Sequence, residues 1–278
     1  MLKRQLYYFF PPNIRLLARR LYYFPSDLID IVTGKRDRML PPRGMIFIGP
    51  GDFKKIGESY LRRFIELAGL KPEHRILDIG CGIGRIAIPL TKFLNSKGSY
   101  EGFDIVEKGI NWCKKHISQN HPNFNFLHID LKNDLYNLKT NQEARNFIFP
   151  YKENEFDLAV LTSVFTHMMP DDVSHYLQQI HRVLKHGGKC FVTFFVLNNE
   201  STHFMNCSEA LNFKYNLGVY SLIDNNVKEA NIAYDEKYLV EVIQKNELKT
   251  DNIFYGFWSG RPKEQSLDFQ DTFVLSKN

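Results

Sequence analysis

The chain has 278 residues, 44% of them hydrophobic and 24% charged, with a formal net charge of +5. That is ordinary globular composition, and no apolar run approaches the roughly 18–20 residues a membrane-spanning helix requires. The four cysteines, Cys81, Cys113, Cys190 and Cys207, have no metal-ligand spacing, so a reduced cytoplasmic protein without a bound metal is expected.

Residues 1–43 stand apart. They hold nine basic residues (Lys3, Arg4, Arg15, Arg19, Arg20, Lys35, Arg36, Arg38 and Arg43) against Asp27, Asp30 and Asp37. The segment is therefore at +6 and the rest of the chain at −1. Pro11 and Pro12 break its first apolar stretch, which argues against a signal peptide. Aromatics are dense (Tyr7, Tyr8, Phe9, Phe10, Tyr22, Tyr23 and Phe24), and Ile14, Leu17, Ala18, Leu21 and Tyr22 recur at helical spacing beside Arg15, Arg19 and Arg20. Two readings stand: a helix lying on an anionic membrane, placing the protein at the inner membrane surface, and a helix packed over the mouth of the following domain. No nucleic-acid reader motif accompanies the charge, so no nucleic-acid partner is expected.

Pro41 and Pro42 end the extension, and residues 44–278 read as one domain. A loop at 45–53 carries Gly49 and Gly51. Ile56, Tyr60, Leu61, Phe64, Ile65 and Ala68 then trace a helix face ended by Gly69. Residues 75–89 read RILDIGCGIGRIAIP. Ile76, Leu77 and Ile79 form the continuous apolar run of a strand covered on both faces. Gly80, Gly82 and Gly84 follow at alternate positions, where positive φ or the close approach of a ligand excludes a Cβ, and a helix is expected over 85–94. Strand, bare amides and helix start together suit a polar or anionic cofactor. A dinucleotide turn, G-x-G-x-x-G, needs glycine where Arg85 stands, which argues against an NAD-dependent oxidoreductase.

With Asp78 two residues before the first glycine, the D-x-G-x-G-x-G spelling resembles motif I of the class I S-adenosylmethionine-dependent methyltransferases. The arrangement in LKHGGKCFVTFF (residues 184–195), a helix end, a turn at Gly187–Gly188 and a fifth strand over 189–197, is similar to that family too. The resemblance implies a Rossmann-like α/β fold: a seven-stranded, mostly parallel sheet with helices on both faces, extended by the N-terminal helix and a cap. It implies S-adenosylmethionine as methyl donor, held along Asp78, Gly80, Cys81, Gly82, Gly84 and Arg85. By the same analogy the loop at 49–53 contributes to a lid; a plain connector is the equal alternative.

Strand 99–105 ends in Asp104, 24 residues after Gly80. The resemblance makes Asp104 the ribose-binding acid and Ile105 an adenine edge; the plain alternative is a helix N-cap. Strand 124–129 ends in Asp130 and Leu131, which by the same resemblance bond the adenine amino group and pack on its ring, or form a turn. After a polar stretch, strand 156–161 leads into residues 162–168, at the end of the sheet where such folds bind ligands. Thr162 is placed at the cofactor there. His167 is the candidate general base, since an imidazole can take a hydroxyl proton near neutral pH; the alternative is a histidine packed on the next helix. Asp171 and Asp172 are expected to N-cap that helix. Residues 198–232 show no sustained period and are expected to cap an acceptor pocket with His203, Phe204, Tyr215 and Trp258 as wall candidates, each of which could equally be core packing. The expected activity is O-methylation of a small-molecule, sugar or glycolipid-type hydroxyl. N-methylation of an amine, or a non-catalytic nucleoside-binding scaffold, are the rivals.

Overall fold

The apolar runs fold as strands β1 (Arg75–Ile79), β2 (Ser99–Asp104), β3 (Phe124–His128), β4 (Phe156–Leu161) and β5 (Leu184–Phe194) in the computed structural model. The model describes residues 12–278 except 35, 38, 50, 135 and 208–210. Lys3, Arg4, Tyr7, Tyr8, Phe9, Phe10, Pro11, Lys35 and Arg38 of the basic extension lie outside the described residues. The later strands are β6 (Val196–Leu197), β7 (Tyr215–Asn216), β8 (Tyr220–Leu222), β9 (Ile232–Asp235), β10 (Leu248–Phe254) and β11 (Asp271–Lys277). Helices are α1 (Pro12–Thr33), α2 (Phe53–Ala68), α3 (Ala87–Leu90), α4 (Glu107–Cys113), α5 (Pro170–Val183), α6 (Asn199–Cys207) and α7 (Glu236–Lys245).

The main sheet has seven strands in the order β10-β11-β5-β4-β1-β2-β3. β11 is antiparallel to both its neighbours, and the other pairs are parallel. The chain leaves β1 toward β2 and returns on its other side through β4, so the turn after β1 lies where the strand order reverses. Open α/β sheets bind ligands at that point. Alternation along β1 sends Leu77 and Ile79 to one side, with α5 and α7, and Ile76 to the other, with α2. Both faces are covered, which is why the strand reads as an unbroken apolar run.

Four expectations need correction. The helix over 85–94 contracts to α3 followed by turns, because Pro89 has no N–H to offer the helical ladder. α5 is capped by Met169 and not by its aspartates: Pro170 takes the first turn, and Asp172 accepts the Met169 N–H at 3.2 Å. Gly187 and Gly188 do not separate a helix from a new strand. They form a bulge within β5, whose partners step from Phe156↔Leu184 to Leu158↔Lys189, with Gly187 at φ +75°. Residues 198–232 are not an aperiodic interruption either. They supply α6, β7 and β8, and a second sheet runs β6-β9-β8-β7; strands of two or three residues are too short to show a period of two.

Candidate active site

The glycine turn is held from inside. The N–H groups of Gly80 and Cys81 both donate to the Phe103 carbonyl, at 2.9 and 3.0 Å, and that of Gly84 to Cys81. The Gly82 N–H donates to Asp104 Oδ2 at 2.8 Å, and Asp104 Oδ1 accepts the Val106 N–H at 2.7 Å. These amides are therefore not bare, contrary to expectation: β2 and its terminal acid consume them. A loop with its donors spent and two buried acids beside it is a poor seat for a diphosphate. It suits a ligand that is locally cationic.

Asp78 supplies the second acid. It is fully buried, and Oδ2 accepts the Tyr100 hydroxyl proton at 2.6 Å. Oδ1 is buried with no partner among the described residues. Burial pushes the carboxyl up to about 7, against the pull of the Tyr100 bond and with help from the Asp104 charge. An orphaned carboxylate oxygen in a cavity wall asks for a donor, and the ammonium of an amino-acid moiety would satisfy it. Arg85 lies in the same wall. Burial lowers its pKa, while the fields of Tyr60, Asp268 and Asp78 raise it.

A single cavity of about 1330 Å³ opens beyond this turn. That exceeds the ~300–1,000 Å³ of one small-ligand pocket, so two ligands fit side by side. Asp78, Gly80, Cys81, Gly82, Arg85, Asp104, Ile105, Asp130, Leu131, Thr162 and His167 all line it. Gly84 does not. A Cβ there would lie 2.9 Å from Ile117 Cδ1 and 3.0 Å from Cys113 Sγ, so this glycine lets α4 pack. Asp130 is exposed, with Oδ1 accepting from Asn137 Nδ2 at 2.8 Å. Among the described residues of the loop at 49–53 only Gly49 reaches the cavity, beside Phe47 and Ile48.

His167 ends a 3-10 turn, Phe165–His167, just past β4. Its Nδ1 lies 2.8 Å from the Glu229 carbonyl. A carbonyl can only accept, so Nδ1 carries the proton and Nε2 carries the lone pair of the neutral ring. The Tyr136 ring meets the imidazole edge-on at 5.9 Å. Glu229 itself lines the cavity; it accepts the Asp134 N–H at 2.5 Å, and burial pushes its carboxyl up to about 7.

None of His203, Phe204, Tyr215 and Trp258 lines the cavity. Trp258 is core: it meets Phe195 and Phe213 edge-on, and its Nε1–H donates to the buried Asp271 at 2.6 Å. The cap contributes Leu211, Glu229, Ala230 and Asn231 instead, and α1 contributes Arg15, Leu16 and Arg19. Gln270, just before β11, also enters the wall; its Oε1 accepts from the hydroxyls of Ser163 (2.9 Å) and Thr193 (2.7 Å). These residues converge from distant parts of the chain and carry no local motif. Only Ser163, at φ +60°, marks its spot by backbone strain.

The strand order and the acidic glycine turn after β1 are those of a Rossmann-like methyltransferase fold. Residues 76–188 match the family model described as a methyltransferase domain, and the chain carries that domain. Among curated relatives, it is 28% identical over 131 residues to a 2-phytyl-1,4-naphtoquinone methyltransferase of Nostoc sp., covering 47% of this chain and 51% of the relative. It is 29% identical over 124 residues to the ubiquinone/menaquinone biosynthesis C-methyltransferase of Wigglesworthia glossinidia brevipalpis, covering 45% and 44%. The chain thus spans about half the length of these relatives. Among solved structures, the PH0226 protein from Pyrococcus horikoshii OT3 superposes with a TM-score of 0.57 at 14% identity, covering 84% of this chain and 95% of that one. The [4+2]-cyclase SpnF superposes at 0.51 with 13% identity, covering 94% and 96%. At such identities the likeness is one of fold, and the second name shows that the fold alone does not set the reaction. S-adenosylmethionine is the cofactor of the class, and the unpartnered Asp78 oxygen fits its ammonium.

Proposed function

We propose that the protein transfers a methyl group from S-adenosylmethionine to a hydroxyl of a small-molecule, sugar or lipid-linked acceptor. The observation that carries this reading is His167: a histidine in the cavity wall whose Nδ1–H is fixed by the Glu229 carbonyl, leaving Nε2 as the basic nitrogen. The bound cofactor supplies an already activated methyl group. The protein's task is alignment and proton removal. Asp78 and Arg85 take the amino-acid end, through ammonium and carboxylate respectively. Asp104 keeps the glycine turn in shape and accepts from the ribose hydroxyls, since each carboxylate oxygen has a second lone pair. Ile105 and Leu131 flank the adenine, Asp130 accepts from its amino group, and Thr162 and Cys81 complete the wall. His167 takes the acceptor's proton.

A second reading has one observation in its favour, namely that two of the curated relatives are named as quinone methyltransferases, one of them a C-methyltransferase. Methylation at a ring carbon of a hydroxylated aromatic also needs a base at the hydroxyl, so His167 keeps its role. The test is turnover on a panel of phenols, hydroquinones, glycosides and amines, with the methylated atom located by NMR. His167→Ala and His167→Gln should each lower turnover on hydroxylated acceptors by ~10²–10⁴-fold. Gln retains a donor for Glu229 but no base. If it works nearly as well as His, or if only amines are methylated, the proton-removal reading is wrong.

A further inference from the structure

α1 is built with its polarity reversed. Leu17, Leu21, Phe24, Leu28 and Ile31 fall at spacings of four, three, four and three, which places them in one stripe on a helix. Such a stripe ordinarily faces a core. Here every member is exposed, from 47% for Leu28 to 74% for Ile31. The polar face turns inward. Asp27 accepts the backbone N–H groups of Arg43 (2.7 Å) and Gly44 (2.9 Å). Asp30 pairs with Arg36 at 3.2 Å and with Arg43 at 3.1 Å. Arg15, Leu16 and Arg19 line the cavity. Gly44 permits this seating, because a Cβ there would lie 3.0 Å from the Arg20 backbone. The helix is thus clamped by its carboxylates, and its apolar side is left to solvent.

The charge says what covers that side. Arg20 is exposed next to the stripe, and the first 43 residues hold a net +6 while the remainder of the chain is at −1. A second copy would bring the same positive charge against it. An anionic lipid surface complements both features: the apolar stripe enters the acyl boundary, Tyr22 sits at headgroup level, and the exposed Arg20 meets phosphates. No described helix is long and apolar enough to cross a membrane, so the contact is interfacial. We propose that α1 docks the protein onto an anionic membrane surface through the Leu17–Ile31 stripe, independently of which acceptor the cavity takes.

The test is flotation of the full chain with vesicles of phosphatidylcholine containing one quarter phosphatidylglycerol, and with phosphatidylcholine alone. The expected result is flotation with the former, at least about tenfold weaker without the anionic lipid and weakened by 0.5 M salt. The double variant Leu21→Glu/Phe24→Glu changes only exposed side chains. It should lose at least about tenfold in vesicle binding while S-adenosylhomocysteine affinity, the control for folding, stays unchanged. The proposal is overturned if the wild type does not float, if neutral vesicles bind equally, or if the double variant floats as before. It is also overturned if sedimentation shows a dimer that this variant dissociates and anionic vesicles do not bind, since the stripe then serves a second copy.

Discussion

On the side of β1 and β2, the cavity wall is a closed network of backbone amides and two buried acids, with the turn amides of Gly80, Cys81 and Gly82 all bonded within the protein. On the side of α1, the cap and β11, the wall is made of long side chains: Arg19, Leu211, Glu229 and Gln270. The first wall is determined by residues close in sequence, and its one unmet demand is a donor for Asp78 Oδ1. The second is assembled from segments up to some 250 residues apart and can change residue by residue without disturbing the sheet. A cofactor common to a family and an acceptor particular to one member would call for this division.

The sharpest way to break the comparison is to remove the tie between the turn and β2. Asp104→Ala leaves the Gly82 and Val106 N–H groups without their acceptor, at ~1–3 kcal/mol for each buried group. S-adenosylhomocysteine affinity measured by titration calorimetry should fall by ~10²-fold or more. A loss under about fivefold would mean that the turn does not depend on this acid.

Asp78→Asn gives a smaller loss, about tenfold near neutral pH, but a distinctive one. The wild-type carboxyl is held up to about 7 by burial, whereas the ammonium pairs with the ionised form. Below pH 7, binding must therefore release a proton, and affinity should drop by up to about tenfold per pH unit as the pH falls, with a plateau above 7. Calorimetry in two buffers of different ionisation enthalpy reads that proton directly at pH 6. In Asp78→Asn both the proton release and the slope should vanish; a slope that survives would assign it to another group.

The glycines separate binding from packing within the same turn. Gly84→Ala meets Ile117 and Cys113 at 2.9 and 3.0 Å with φ at +80°, so it should lower stability by ~1–3 kcal/mol. S-adenosylhomocysteine affinity should stay within twofold at a temperature where the variant is folded. A loss of affinity comparable to that of Asp104→Ala would return Gly84 to the ligand's edge.

What could be read from the sequence follows the same division. The strands β1 to β5 announce themselves because both faces of the sheet are covered, and Gly80, Gly82, Asp78 and Asp104 because the turn's conformation is local. The sequence could not show where the turn's amides point, since Phe103 reaches them only through strand pairing. For Trp258 pocket wall and core were equal readings, and the sequence could not choose because the buried Asp271 that holds its indole N–H is itself fixed by the N–H groups of Val196 and Gly256. The periodicity of α1 was plain, but a period does not say which face looks inward. That was decided by Asp27 and Asp30, whose partners lie in the next segment.

The smallest effect expected concerns Arg19, where the two walls meet α1. Its guanidinium lies 4.9 Å from the Tyr23 ring centroid and reaches the cavity edge. It is half exposed, so any ion pair it makes with an acceptor is worth only ~0.2–1 kcal/mol. Arg19→Ala should therefore raise the KM of an acceptor bearing a carboxylate or phosphate by about two- to fivefold, with that of a neutral acceptor unchanged. The cofactor constant should not move in either case, because the acids and amides that hold the turn are satisfied without α1. If the variant weakens S-adenosylhomocysteine binding instead, α1 belongs to the cofactor wall and the division between the two sides is drawn in the wrong place. If it alters neither constant, the arginines of α1 serve the outside of the molecule, and the charge of the first 43 residues acts on what α1 docks against.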